Sequence, residues 1–277
     1  MKRTFSVVLA LFGPAALAGF LVTEVTGKAE IVGKGAVTTL AELADGERIA
    51  VSASAQIVTV DLTNGREFVL KGRGNYAVAP GGPKSADGNT LEAKPLPVNS
   101  LPHFRVVKIA TNSAAQASLV MRGVPETITP LLIFPVRTAV ISKTPVFRWK
   151  AVDAAVGYRL QVATLDDQMI WDASTRQTEL KLPAERELVP GESYQWRVEA
   201  VGEARSLSDA AAKFSVAPSD ALERLDQLKP GVNAPFGRRV LYAMALREAG
   251  AFADANVLWK ALSIERPDDQ VVRFMAD

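Results

Sequence analysis

The sequence contains no cysteine and only one histidine, His103, among its 277 residues. Without cysteine the chain cannot form a disulfide, and it cannot carry the acylated N-terminal cysteine of a lipoprotein. One histidine leaves too few ligands for a zinc or copper site, so we expect no metal and no cofactor. His103 lies at the end of an expected linker, between Pro102 and Phe104, where nothing rigid would hold its ring beside a carboxylate. We therefore predict no catalytic histidine.

The chain also lacks an excess of either charge beyond its first residues. Two of the 32 lysines and arginines, Lys2 and Arg3, lie in residues 1–18, which hold none of the 30 aspartates and glutamates. The rest of the chain thus carries 30 charges of each sign, and no run of lysine and arginine exceeds two residues. This balance predicts neither nucleic acid nor an anionic lipid surface as a partner.

Residues 1–18 have the pattern of a cleavable signal peptide. Lys2 and Arg3 precede an apolar stretch, and Ala16-Leu17-Ala18 offers the small side chains that signal peptidase accepts. The alternative is an uncleaved anchor, because apolar residues continue to Val22, but Gly13-Pro14 would disrupt a membrane-spanning helix. We predict cleavage before Gly19, no membrane insertion afterwards, and a periplasmic or secreted protein.

Residues 19–80 are predicted to form a compact β unit. Turn signals separate short runs rich in Val, Ile, Thr and Phe, and Asn64-Gly65 is the most specific of these turns. Val58, Val60 and Leu62 alternate with Ile57, Thr59 and Asp61, which predicts a strand with one buried face. The expected strands are Val22–Val25, Ala29–Val32, Arg48–Val51, Gln56–Leu62 and Glu67–Leu70.

Residues 81–129 interrupt this pattern. Prolines and glycines crowd residues 80–103, which predicts a linker or an extended excursion. The runs Phe104–Ile109 and Ser118–Met121 could be strands, but the sequence does not place them in a sheet. We therefore assign no fold to residues 104–129.

Residues 130–217 are predicted to form a β-sandwich. In Tyr194–Val198 apolar and polar residues alternate, which places Tyr194, Trp196 and Val198 on the core face. Trp149 and Tyr158 are expected to meet them from facing strands. The strand candidates are Val146–Lys150, Tyr158–Ala163, Met169–Asp172, Glu179–Leu182, Tyr194–Ala200 and Lys213–Val216.

Residues 218–277 change to a helical period. Ser219 can cap a helix that runs to Leu228, and a helical hairpin follows over Arg238–Ala249 and Phe252–Glu265. The fold class predicted for the whole chain is therefore mainly β, with a short α-helical C-terminal module.

Residues 27–79 resemble a FecR-type domain in the segments Gly27–Ile31, Leu43–Ile49 and Val58–Gly65. Residues 130–217 resemble a fibronectin type III domain, since Leu188–Tyr194 has the pattern of a tyrosine corner. In residues 236–269, small residues that let two helices pack, a large ring and a final proline follow a regular spacing: Ala243, Gly250, Ala255, Trp259 and Pro267. By this spacing the segment resembles one tetratricopeptide unit. The first resemblance implies an envelope signalling role as one alternative, whereas the other two imply folds only.

The remaining motifs predict no enzyme. Gly72–Ala77 fits G-x-G-x-x-A, but a strand follows it rather than the helix that a dinucleotide site needs. Trp171 is a candidate partner contact, and Tyr242 and Trp259 are candidates if they prove exposed. We therefore predict a non-enzymatic, periplasmic interaction or scaffold protein that binds an envelope protein. The alternatives are a module that binds cell-wall glycan (peptidoglycan) and a FecR-type signalling or regulatory component.

Overall fold

The computed structural model describes residues 19–86, 91–99, 101, 102, 104, 131–203 and 206–277, with only the backbone of 206–208. The predicted signal peptide, His103 and nearly all of the ambiguous segment 104–129 lie outside the described residues. The chain divides into two compact units, Met1–Pro102 and His103–Asp277. The predicted fold class is confirmed, because strands in several sheets dominate and four short helices end the chain.

The part of the first unit that the structure describes contains ten short strands. They form two antiparallel sheets with the orders β10-β7-β6-β1-β4 and β3-β2-β5-β8-β9, here called the first and second sheets. The strands are β1 (Phe20–Thr26), β2 (Ala29–Ile31), β3 (Gly35–Ala36), β4 (Glu42–Leu43), β5 (Arg48–Val51), β6 (Gln56–Asp61), β7 (Arg66–Lys71), β8 (Gly74–Ala77), β9 (Lys84–Ser85) and β10 (Ala93–Pro95).

One apolar core takes side chains from both sheets of this unit. Ile57 and Phe68 come from the first sheet, whereas Ile49 and Tyr76 come from the second. Phe20 meets Phe68 edge-on, with ring centroids 6.1 Å apart. Burial of these side chains, at about 1.5–3 kcal/mol each, holds the two sheets together without disulfides.

Strand β6 is buried on both faces, which corrects the expectation of one buried face. Ile57 joins the core between the sheets, whereas Val58 and Val60 are buried on the opposite face. Thr59 is also buried, and its hydroxyl donates a hydrogen bond to the Leu21 carbonyl at 3.1 Å. The polar positions of the alternating pattern are therefore satisfied internally rather than by water.

The segment after residue 80 belongs to the first unit, which corrects the predicted linker. Strands β9 and β10 extend the edges of the two sheets, and the unit ends at Pro102. The Leu96 amide donates to the Gly65 carbonyl at 2.8 Å, and the Leu101 amide donates to Leu62 at 2.8 Å. Edge strands tolerate proline because one side of each needs no ladder bonds, so Pro95 can end β10.

The predicted Asn64-Gly65 turn is confirmed between β6 and β7. Gly65 is the residue of the pair with positive φ, at 58°. A Cβ at Gly65 would lie 1.9 Å from the Val98 carbonyl oxygen, so only glycine fits this position. The Asp61 carboxylate accepts hydrogen bonds from the backbone amides of Thr63 and Asn64 and fixes the turn.

The second unit begins with a β-sandwich, as predicted. A three-stranded sheet of order β11-β13-β16 faces a five-stranded sheet of order β12-β18-β17-β14-β15, in which only the β12–β18 pair is parallel. The strands are β11 (Leu132–Phe134), β12 (Ala139–Val140), β13 (Val146–Trp149), β14 (Gly157–Thr164), β15 (Met169–Thr175), β16 (Glu179–Lys181), β17 (Ser193–Val201) and β18 (Ser206–Val216).

Aromatic side chains dominate the sandwich core. Tyr194 and Trp196 are buried there, as the alternation predicted, and Trp149 meets Trp196 from the facing sheet, as expected. The Tyr194 hydroxyl accepts a hydrogen bond from the Val189 amide at 2.9 Å, which is the geometry of a tyrosine corner. The Trp196 indole donates to the Pro135 carbonyl at 2.6 Å and so links β17 to the segment that follows β11.

The tail consists of four helices, and the turn between the second and third of them packs on the sandwich. The Ala139 amide donates to the Gly250 carbonyl at 2.8 Å, and the Ala253 amide donates to the Thr138 hydroxyl at 3.2 Å. None of the helices within the described residues has the length and apolar character needed to cross a bilayer. The helices are α1 (Ser219–Leu228), α2 (Phe236–Glu248), α3 (Phe252–Glu265) and α4 (Gln270–Ala276).

Candidate binding cleft

The second sheet of the first unit turns one face away from the core. Along its strands, Ile31, Ile49 and Tyr76 point into the core region, whereas the alternate residues Glu30 and Asn75 are exposed. We call the outward face of β2, β5, β8 and β9 the cleft face.

Strand register arranges the cleft face in three lateral rows, two residues apart along each strand. The first row follows from the bond of the Ser52 amide to the Lys28 carbonyl and from the pairing of Val51 with Gly74, which sets Ser52 beside Arg73. The rows are Lys28–Ser52–Arg73, then Glu30–Ala50–Asn75, then Arg48–Ala77–Lys84. Lys28 and Arg73 stand two strands apart, about 10 Å at the backbone.

An open cleft of about 980 Å³ covers the first two rows. Its floor is made of small side chains, including Ala36, Ala50 and Ser52, and this leaves room above the sheet. Gly27 closes one end with φ 76°, and a Cβ there would lie 2.9 Å from the Ala55 Cα. The backbone therefore approaches its neighbour closely at this end, and a larger residue would disturb the cleft wall.

The cleft face carries four cations and one acid. Among the described residues, no acidic side chain forms an ion pair with Lys28, Arg48, Arg73 or Lys84. Glu30, in the middle row, is the acid. The Ser52 hydroxyl donates to the Lys28 carbonyl at 2.7 Å and is already engaged. This set of groups can hold an anionic group by charge and hydrogen bonding.

The three residues predicted as partner contacts lie on three different elements. Trp171 is half-buried on the edge strand β15 and packs against the sandwich core. Tyr242 is half-buried on α2, where burial, and then the neighbouring Asp254, raises the pKa of its hydroxyl. Trp259 on α3 is 0% exposed, so the condition for a contact is not met and this residue belongs to the core of the tail.

The outer side of α3 is a second exposed feature. Val257 and Ile264 are 72% and 81% exposed, and Ala261 lies between them at helical spacing. These residues point away from Trp259 and Leu262, which are buried. The tail therefore has an apolar outer stripe of about two turns.

Sequence reasoning did not identify the cleft. Its signal is an alternation in three strands: Lys28 and Glu30, Arg48, and Arg73 and Asn75 are exposed, and the half-buried Ala50 follows Arg48 at the same interval. Taken alone, each strand has the pattern of an ordinary strand with one solvent-exposed face. Only the register shows that the cations from different strands share one face.

Three solved structures illustrate the similarity of part of this chain to known proteins. The fn3 domain of human collagen alpha-1(XX) is 15% identical, covering 32% of this chain and 84% of its own, with a TM-score of 0.27. An Fn3-like protein from Clostridium thermocellum is 18% identical, covering 32% and 88%, with a TM-score of 0.24. CopC from Methylosinus trichosporium OB3b is 18% identical, covering 32% and 95%, with a TM-score of 0.26.

These TM-scores lie below 0.5, so the similarities carry no argument about the fold. The sandwich is identified by its own strand order and core. No protein-family model matches the sequence, and no curated protein matches it.

Proposed function

We propose that this protein is an exported, non-enzymatic interaction protein of the cell envelope, and that its first unit binds a protein partner through the cleft. The observation that carries this proposal is the open cleft flanked by Lys28 and Arg73, which have no ion-pair partner within the described residues. Charged groups that a fold leaves uncompensated around a concavity are available to a ligand.

Strand β1 supports the export part of the proposal. Phe20, Leu21 and Val22 are buried in this strand, so an anchor that used these apolar residues would have to remove β1 from its sheet. Without them, a helix over residues 4–18 rises only about 22 Å, less than the roughly 30 Å of a bilayer core. N-terminal sequencing of the periplasmic protein should return Gly19, and an intact Met1 in the membrane fraction would contradict export by cleavage.

Site-specific photo-crosslinking tests the binding role. A photoreactive amino acid replaces Asn75, which is exposed on the cleft face, and in a matched control it replaces Ala211 on the outer face of the sandwich. In living cells we expect residue 75 to form a crosslinked adduct that protease treatment degrades. We expect no adduct from residue 211. An adduct removed by a glycan hydrolase instead would indicate the glycan alternative. Absence of any adduct specific to residue 75 would contradict the binding role.

A further inference from the structure

The three rows of the cleft face present an ordered charge pattern. The first row has cations at both ends, Lys28 and Arg73. The middle row has the acid Glu30 with Asn75 across Ala50. Both charged groups of the third row, Arg48 and Lys84, are cations again. Along the direction of strand β5, the charges of the three successive rows are therefore positive, negative and positive.

The spacing of these rows equals the side-chain repeat of an extended peptide. Residues two apart on a strand lie about 6.7 Å apart, and an extended ligand projects side chains to one side at the same interval. A peptide that lies above β5, parallel to the strands, therefore places side chains i, i+2 and i+4 over three successive rows. Acidic side chains at i and i+4 would meet the outer rows, and a basic side chain at i+2 would meet Glu30.

We infer that the ligand of the cleft is an extended peptide segment with acidic residues four positions apart and a basic residue midway between them. This inference rests on the proposed binding role of the cleft. The pattern reads the same in both chain directions, so the geometry leaves the direction of the peptide open.

Two features of the cleft favour this ligand over other anions. A continuous polyanion such as a phosphate polymer would bring a negative charge onto Glu30 in the middle row, which costs free energy. The residues that line the cleft include no aromatic ring on which a sugar could stack, whereas the small floor residues Ala50 and Ser52 leave space for side chains.

The test uses the purified protein and fluorescently labelled synthetic peptides. The matching probe is Thr-Glu-Thr-Lys-Thr-Glu-Thr, and Thr-Glu-Thr-Glu-Thr-Lys-Thr is a control of equal composition and charge. By anisotropy at low salt, we expect the matching probe to bind about fivefold tighter. Lys28→Glu and Arg73→Glu should each weaken its binding about three- to tenfold, because each replaces an attraction by a repulsion.

A charge exchange keeps the test specific. Glu30→Lys should make the middle row prefer an acidic side chain over a basic one. This variant should therefore bind Thr-Glu-Thr-Glu-Thr-Glu-Thr more tightly than the wild type does. Lys213→Glu, at an exposed lysine on the outer face of the sandwich, should leave the binding of all probes unchanged. Circular dichroism of each variant should show an unchanged thermal midpoint, since all substituted side chains are exposed.

The outcomes separate this inference from the proposed function. In one outcome, a protein is crosslinked to residue 75, but the two heptapeptides bind equally tightly and Lys28→Glu does not weaken their binding. This result overturns the charge-pattern inference and leaves the binding role standing. If a soluble peptidoglycan fragment binds in a manner that depends on Lys28 and Arg73 while the heptapeptides do not bind, the peptide ligand is wrong. If the matching probe is preferred and Glu30→Lys exchanges the preference, the inference holds.

Discussion

The second sheet of the first unit and the five-stranded sheet of the sandwich each expose one face to solvent. The two faces differ in how their charged side chains are paired. On the five-stranded sheet of the sandwich, Arg159 donates three hydrogen bonds to Asp172, at 2.9, 3.1 and 2.6 Å, and Arg197 pairs with Asp209. The hydrogen bond from Arg159 lowers the pKa of the Asp172 carboxyl. On the cleft face of the first unit, Lys28 and Arg73 have no such partner within the described residues. The sandwich arginines are neutralised locally, whereas the cleft cations are available to an external anion.

The cores of the two units differ as well. The sandwich core contains a network of aromatic rings, in which Phe147 lies 5.1 Å from Trp196 and Trp149 lies 5.5 Å from Tyr158. The first unit relies mainly on aliphatic side chains. All four tryptophans of the chain lie in the second unit, so tryptophan fluorescence follows the unfolding of that unit alone.

The largest expected effect is on the aromatic core. Trp196→Ala should destabilise the second unit by about 3–5 kcal/mol, because it leaves a cavity and removes the hydrogen bond to Pro135. Urea unfolding followed by the fluorescence of the remaining tryptophans measures this loss. Trp171→Ala, at a half-buried edge position, is the matched control and should cost clearly less. Equal costs would contradict the core assignment.

The next effect tests whether residues 91–102 belong to the first unit. Gly65→Ala should destabilise that unit by about 2–4 kcal/mol, because the added methyl group collides with the Val98 carbonyl at a positive φ. Gly33→Ala also lies at positive φ but meets nothing within 4 Å, so it should cost about 1 kcal/mol.

Hydrogen exchange measures the difference between these two glycine variants. The Leu96 and Leu101 amides should exchange faster in Gly65→Ala than in Gly33→Ala, because they bond to the turn at residues 62–65. Fast exchange of both amides in the unchanged protein would restore the linker interpretation.

A smaller effect is expected at the tyrosine corner. Tyr194→Phe keeps the ring but leaves the Val189 amide without its acceptor, so the second unit should lose about 1 kcal/mol. Tyr242→Phe is the control, since the hydroxyl of this half-buried residue has no hydrogen bond within the described residues. Its urea midpoint should stay near that of the wild type. Indistinguishable losses in the two variants would argue against the corner.

The smallest effect concerns the contact between the tail and the sandwich. Burial raises the pKa of the Asp254 carboxyl, and the nearby Arg148 lowers it only in part. A raised pKa in the folded state means that stability falls as the pH rises through it, because the charged carboxylate is the less favourable form there. Asp254→Asn should therefore raise the thermal midpoint at pH 7, and this gain should fade in acid. The exposed Asp268→Asn should show no such gain, and a lower midpoint for Asp254→Asn at pH 7 would contradict this account.

The sequence predicted those parts of the fold whose signal is local. The alternation of Tyr194, Trp196 and Val198 identifies a core strand, and the Pro190-Gly191 turn before it identifies the tyrosine corner. Asn64-Gly65 marks a hairpin because the turn needs a residue that adopts positive φ. Such features depend on a few adjacent residues and their backbone preferences.

Features set by pairing between distant segments were missed. Residues 93–95 form a strand only because β7 offers a free edge, and the prolines in and around them otherwise indicate a linker. Helix α4 was missed because Pro267 suggests an end, whereas the Asp269 carboxylate accepts the Val271 and Val272 amides and starts a new helix. The cleft was missed because the cations of the cleft face come from four strands, and the sequence does not reveal the register of these strands.

Lysine footprinting of the partner complex tests most directly whether the cleft face is the binding surface. An amine-reactive ester labels exposed lysines, and Lys28 and Lys84 on the cleft face can be compared with Lys181 and Lys213 on the sandwich. The structure predicts that the bound partner reduces labelling of Lys28 and Lys84 severalfold and leaves Lys181 and Lys213 unchanged. Protection of Lys181 or Lys213, with full labelling of Lys28, would place the partner on the sandwich and contradict the binding role of the cleft.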